Sequence, residues 1–177
     1  MLWSDNVLAE RLARLSARAA GYSLDIKGVN TIFRTLLAHF EIDDSKLVVA
    51  DASGLSKKNK ITAKLMGELL YKLRKEEKFA HLYESLPVGG VSGTLQSRFI
   101  TTAPSAVGLV RAKTGTLNGT ATLAGYVQST DREYVFVTLA DDIAKGNAAL
   151  NKARAAIDRV LGRIAAPNIP AEISPTP

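Results

Sequence analysis

The chain has 177 residues, 46% hydrophobic and 23% charged, the composition of one folded domain or a large piece of one. No apolar run approaches the roughly 18 residues of a membrane span, and no repeat or low-complexity period is present. Zero cysteines exclude disulfides, thiolate metal sites and a cysteine nucleophile, and two histidines, His39 and His81, are too few for a histidine-rich metal centre. The net charge of +6 comes from scattered basic residues (Arg11, Arg14 and Arg18; Lys57, Lys58 and Lys60; Lys152, Arg154, Arg159 and Arg163). With only 6% aromatic residues and no binding signature, this charge reads as solvated surface, and no nucleic-acid partner is expected.

Met1-Leu2-Trp3-Ser4 lacks the basic and apolar regions of an export leader. From Asp5 the spacing predicts a helix, with Leu8, Leu12 and Leu15 on one face and Gly21 as its stop. A second helix is expected from about Gly28 to Phe40, carrying the stripe Val29, Ile32, Phe33, Leu36, Leu37 and Phe40. Leu47-Val48-Val49 reads as a short buried strand or an extended segment, and Asp51 to Ser56 as a loop. Thr62 is an N-cap candidate for a third helix containing Leu65, Met66, Leu69, Leu70 and Leu73.

The second half changes character. Pro87 to Gly93 has loop composition, followed by a short helical stretch around Leu95 to Phe99. Three strands are expected, Leu109–Lys113, Thr120–Gln128 and Tyr134–Ala140, joined through Gly115–Gly119 and Ser129–Arg132. A closing helix spans Ala148 to Ala165, with Leu150, Ala153, Ile157, Val160, Leu161 and Ile164 on its buried side. The Pro-rich tail 166–177 is expected to be extended or disordered. Helices followed by an antiparallel meander make an α+β arrangement, and three strands are few for an independent sheet.

Two strings carry chemistry: Ser4-Asp5-Asn6 and Lys113-Thr114-Gly115. Each alone is weak, since any given tripeptide occurs by chance in about 2% of chains this long. The plain reading of the first is a helix N-cap, and of the second a strand running into a turn. Together and in this order they match two of the three signature boxes, S-D-N and K-T-G, of penicillin-recognising serine enzymes.

The surrounding residues extend the match. Ser4-Asp5-Asn6 runs on as V-L-A-E-R-L; Asp51-Ala52-Ser53-Gly54-Leu55-Ser56 is followed by Asn59 and Thr62. Leu86-Pro87-Val88 precedes Gly93-Thr94-Leu95 and Arg98, and Lys113-Thr114-Gly115-Thr116-Leu117 leads into Leu123-Ala124-Gly125-Tyr126. Over residues 1 to 165 the chain resembles the C-terminal part of the D-alanyl-D-alanine carboxypeptidase/endopeptidase family, the class C low-molecular-mass penicillin-binding proteins. It departs from the family in holding no S-x-x-K nucleophile box.

The resemblance implies the penicillin-recognising fold, an antiparallel sheet flanked by helices, and a serine-type carboxypeptidase or endopeptidase with no metal or cofactor. It implies peptidoglycan D-Ala-D-Ala peptides and β-lactams as ligands, an upstream segment of the same domain as partner, and an extracytoplasmic location. Ser4 then relays a proton to the leaving nitrogen, since a hydroxyl both donates and accepts. Asn6 offers a carboxamide to the substrate peptide group. Lys113 supplies the positive charge for the terminal carboxylate, shared with the Thr114 and Thr116 hydroxyls. Gly115 lets the substrate backbone approach, and the Thr116 amide is an oxyanion donor.

Two alternatives stand beside the enzyme: a catalytically inactive peptidoglycan-binding module and, more remotely, a basic nucleic-acid-binding protein. Asp51, Ser53 and Ser56 read as loop stabilisers, His39 as a surface or capping residue, and His81 as no metal ligand. Trp3 is either a cleft residue or a core anchor.

Overall fold

The computed structural model describes residues 1–167, so the tail beyond Pro167 lies outside the described residues. Helix α1 (Asn6–Ala19) packs against α2 (Ile26–His39), and α3 (Ala63–Lys75) follows a long connection. Three antiparallel strands, β1 (Val110–Leu117), β2 (Thr120–Gln128) and β3 (Glu133–Ala140), form a sheet in the order β1-β2-β3. Helix α5 (Asn147–Ala165) packs on the sheet at β2, and α3 contacts β3 and β2.

Local chemistry sets the helix ends. Asp25 caps α2 by accepting from the Lys27 and Gly28 amides, and Thr62 caps α3 by accepting from Leu65. At the end of α1, Gly21 stands at φ +82 while its amide bonds Arg18 and that of Tyr22 bonds Ala17, the paired bonds of a Schellman cap. Helix α2 ends the same way, but with Glu41 at φ +55 in the position glycine prefers.

Two apolar cores result. Leu95, Phe99, Val110, Ala112, Leu123, Val127, Phe136 and Leu161 pack between the sheet and α5. Leu37, Phe40, Ile42, Leu47, Leu65 and Leu73 join α2 to α3. The stripe expected on α1 is not part of either. Leu8, Leu12 and Leu15 are more than half exposed, and α1 buries Ala13 and Ala17 instead, because small residues let α2 approach closely. On α5, Val160 is likewise exposed, while Asp158 and Leu161 are buried.

Several boundaries differ from the sequence expectation. Strand β1 continues to Leu117, so the hairpin closes on Asn118-Gly119 alone, with Gly119 at φ +86. The helical stretch expected at Leu95–Phe99 is a single 3₁₀ turn at Gly93–Leu95, and Phe99 at φ +72 breaks any continuation. Val48 makes one bridge to Lys60, so its segment is extended and not a sheet strand. A 3₁₀ turn at Glu77–Phe79 and the short α4 (Ala80–Glu84) have too little apolar periodicity to stand out.

Candidate active site

Ser4 is not the cap of α1. Asp5 takes that role, its carboxylate accepting from the Leu8 amide at 2.9 Å. Ser4 is thereby free, and its backbone stands at φ +55, a left-handed conformation that is strained for serine. A turn at the N-terminus, closed by the Ser4 amide donating to the Met1 carbonyl at 3.3 Å, leads into this position. The Thr94 amide donates to the Leu2 carbonyl at 3.1 Å, pinning residues 1–4 onto the 3₁₀ turn at Gly93. A Cβ on Gly93 would stand 2.6 Å from that same carbonyl, so only glycine, here at φ +55, admits the contact.

From this position Ser4 meets β1. The Lys113 ammonium donates to Ser4 Oγ at 2.7 Å and to the Thr114 carbonyl at 2.7 Å. Lys113 is half-buried and has no carboxylate partner among the described residues, so burial pushes its ammonium below the ordinary lysine value. An unneutralised cation held against a hydroxyl is suited to receive an anionic group. Asn6 opens α1 two residues on and is half-buried, but no hydrogen bond among the described residues ties it to Ser4 or Lys113.

Among the described residues, the edge of β1 is paired only in its first half. The Gly89 amide bonds the Val110 carbonyl, and the Ala112 amide bonds the Pro87 carbonyl. Along an antiparallel strand the outward-facing amides alternate, so those of Thr114 and Thr116 turn to this same edge, past the point where residues 87–89 leave it. An open edge of this kind is a docking line for an extended peptide. Thr114 Oγ1 is bonded to Thr94 Oγ1 at 3.0 Å, and Thr116 Oγ1 accepts from Arg154 at 3.0 Å. A Cβ on Gly115 would stand 2.3 Å from the Thr122 hydroxyl, so that glycine answers to its strand neighbour as well as to any ligand.

The other motif residues build the frame. Asp51 accepts from the Gly54 and Ser56 amides and from Asn59 Nδ2, while Asn59 Oδ1 accepts from the Ala50 amide. Glu10 on α1 accepts from the Ala52 and Ser53 amides at 2.7 and 2.9 Å, locking the loop to the helix that follows Ser4. Burial opposes the charge on both carboxylates, but these hydrogen bonds outweigh it and hold Glu10 and Asp51 below the usual carboxylate range. Arg98 pairs with the buried Asp158, which also accepts from Thr102, fixing α5 against the turn that carries Thr94.

The structure therefore joins Ser4, Lys113, Thr114, Gly115 and Thr116 around one strand edge. Sequence reasoning did not single out Thr94, Glu10 or Arg154 as neighbours of the site. Trp3 is 72% exposed beside Ser4, which removes the core-anchor reading. His39 lies exposed at the end of α2, and His81 is exposed beside Glu84.

Comparison with known proteins adds to this geometry. Carboxypeptidase DacB of Mycolicibacterium smegmatis is 39% identical over 141 residues, covering 77% of this chain and 30% of that protein. D-alanyl-D-alanine carboxypeptidase DacB of Haemophilus influenzae is 34% identical over 150 residues, 81% of this chain and 30% of the relative. The crystal structure of penicillin binding protein 4 (dacB) from Haemophilus influenzae, complexed with a β-lactam, superposes with a TM-score of 0.80 at 29% identity. The match covers 91% of this chain and 38% of that one. The chain thus spans about a third of the length of the relatives it matches, at 30% in both cases, and shares the penicillin-binding fold. Residues 1–164 match the D-Ala-D-Ala carboxypeptidase 3 (S13) family, and the chain belongs to it.

Proposed function

We propose that this chain supplies the substrate-holding half of a serine-type D-Ala-D-Ala carboxypeptidase acting on peptidoglycan stem peptides. The observation that carries the reading is the Lys113–Ser4 hydrogen bond of 2.7 Å beside the unpaired edge of β1. The peptide adds to that edge, opposite the Thr114 and Thr116 amides, and its terminal carboxylate faces Lys113 and the two threonine hydroxyls.

The nucleophile, a serine with a lysine three residues on, comes from a segment of the same domain outside this sequence. Its oxygen attacks the penultimate D-Ala carbonyl, and the Thr116 amide supports the developing oxyanion. The C–N bond then breaks, and the leaving D-Ala nitrogen takes its proton by way of Ser4. Asn6, at the start of α1, orients the peptide group. Water hydrolyses the acyl-enzyme and restores the serine. β-Lactams enter the same groove, and the domain 1–165 works outside the cytoplasm, where peptidoglycan lies. No helix among the described residues is long and apolar enough to cross a membrane.

The test is D-Ala release from an N-acyl-D-Ala-D-Ala peptide by the complete catalytic protein and its Lys113→Ala variant. Turnover by the parent with at least a tenfold loss in the variant is expected. A well-folded parent that binds peptidoglycan without turnover would make the protein a binding module instead.

A further inference from the structure

Behind the β1 edge lies a cavity of about 300 Å³, bounded by Thr94, Thr114, Thr116, Thr122, Arg98 and Arg154. Two guanidinium groups thus border the same space, and they are in different states. Arg98 is neutralised: Asp158 accepts from its Nε and Nη2, and its Nη2 also donates to the Arg154 carbonyl at 3.3 Å. Arg154 has no carboxylate partner among the described residues. Its guanidinium donates to Asn151 Oδ1 at 3.2 Å and to Thr116 Oγ1 at 3.0 Å.

The second bond sets the direction of the Thr116 hydroxyl. With one lone pair occupied by an Arg154 N–H, its own proton is free to point into the cleft as a donor. Arg154 also puts a second uncompensated positive charge one hydroxyl away from Lys113's strand. The Arg98–Asp158 pair, one helical turn along α5, holds the backbone from which Arg154 projects. Nothing in the folding of α5 asks for a guanidinium here, since an exposed alcohol is already satisfied by water.

Building on the proposed function, we propose that Arg154 is a specificity residue. Through Thr116 it makes the site prefer a residue with a free carboxylate, in place of its amide, on the leaving side of the scissile bond. Arg154 acts as a positioning residue and long-range charge, and Thr116 makes the contact.

The experiment compares N-acyl-D-Ala-D-Ala with its C-terminal carboxamide on the complete catalytic protein and on Arg154→Gln and Arg154→Lys. For the parent, kcat/KM favours the acid. In Arg154→Gln the acid-over-amide ratio falls roughly tenfold, chiefly through KM for the acid, because the Thr116 bond to the carboxylate loses its orientation and the site loses a positive charge. Arg154→Lys recovers most of the ratio, because it restores the charge. Equal losses on both substrates, or an unchanged ratio in Arg154→Gln, would overturn the inference and leave the proposed function standing. A parent that turns over neither substrate removes both.

Discussion

The carbonyl of Leu2 and the α-carbon of Gly93 are packed so closely that no Cβ fits between them. At 2.6 Å the clash would be with backbone, which cannot rotate aside as a side chain would. This contact, together with the Thr94–Leu2 hydrogen bond, is what brings Ser4 to Lys113 across 109 positions of sequence. The Ser4 backbone conformation at φ +55 is a consequence of that pinning.

Gly93→Ala therefore damages the site by two routes. Its φ of +55 costs an L-residue about 1–2 kcal/mol, and relief of the clash pushes the N-terminal segment off the turn. The expected result is a lower unfolding midpoint and faster proteolysis before Asp5, with α1 otherwise intact by hydrogen exchange. An unchanged midpoint and an unchanged cleavage rate would mean that the N-terminal segment is held by something else.

Lys113 is expected to be a functional residue that the fold does not need. Burial holds its ammonium below the ordinary lysine value. The unfolded chain then binds more protons than the native one between the two pKa values, so stability rises with pH there and the penalty is complete below that window. Lys113→Met should keep or raise the denaturation midpoint at pH 7, and its advantage should shrink as pH climbs toward the unfolded lysine value. In the complete protein the same substitution should lower kcat/KM at least tenfold, from a lost charge-assisted bond of roughly 1.5–3 kcal/mol. Urea midpoints at neutral and alkaline pH, set beside D-Ala release, separate the two effects; a destabilised variant at pH 7 contradicts the assignment.

Glu10 and Asp51 give the opposite sign. Partial burial works against their charges, but amide donors from Ala52, Ser53, Gly54 and Ser56 hold both carboxyls below their usual range. Stability from a lowered carboxylate is present above its unfolded value and is lost as pH falls through its folded value. Glu10→Gln should flatten the acid limb of the stability curve and loosen the 51–56 loop, seen as faster amide exchange at Ala52 and Ser53. Identical acid limbs for parent and variant would show that the loop holds without Glu10.

Much of this was legible in the sequence, for physical reasons that differ by element. Strand β2 has the bounds its alternation suggests, Thr120–Gln128, because its core side is filled by Ala121, Leu123 and Val127. Strand β1 runs four residues past its expected end at Lys113, because apolar alternation stops where Thr114, Gly115 and Thr116 follow the lysine. The capping reading of Ser4 gives way because Asp5 can cap as well: its carboxylate takes the Leu8 amide, while Ser4 Oγ accepts from Lys113. Leu8, Leu12 and Leu15 show the limit of periodicity, which identifies an apolar face without saying what covers it. Arg154 could not be found at all, since 38 residues separate it from Thr116 and its basic neighbours on α5 look alike.

The final expectation concerns acylation. A serine nucleophile of this kind needs a lysine three positions on, which places the base on the same helix face one turn away. None of the twelve serines has one: Ser4 meets Val7, Ser16 meets Ala19, Ser53 meets Ser56, Ser92 meets Leu95 and Ser129 meets Arg132, and the rest fare no better. Arg132 is no base, because a guanidinium stays protonated. Ser4 itself lies against Lys113 at 2.7 Å, but that lysine donates to both Ser4 Oγ and the Thr114 carbonyl as an ammonium, which has no lone pair to take a proton. The isolated 177-residue chain should therefore form no covalent adduct with a labelled penicillin, although it carries the strand edge, the lysine and the hydroxyls proposed to hold one. A Ser-x-x-Lys segment from the same domain, fused or supplied as a second chain, should restore labelling at a serine outside this sequence. Intact-mass spectrometry reads the outcome directly. Stoichiometric acylation of the chain alone would place the nucleophile among these twelve serines, with Ser4 the first to test by Ser4→Ala.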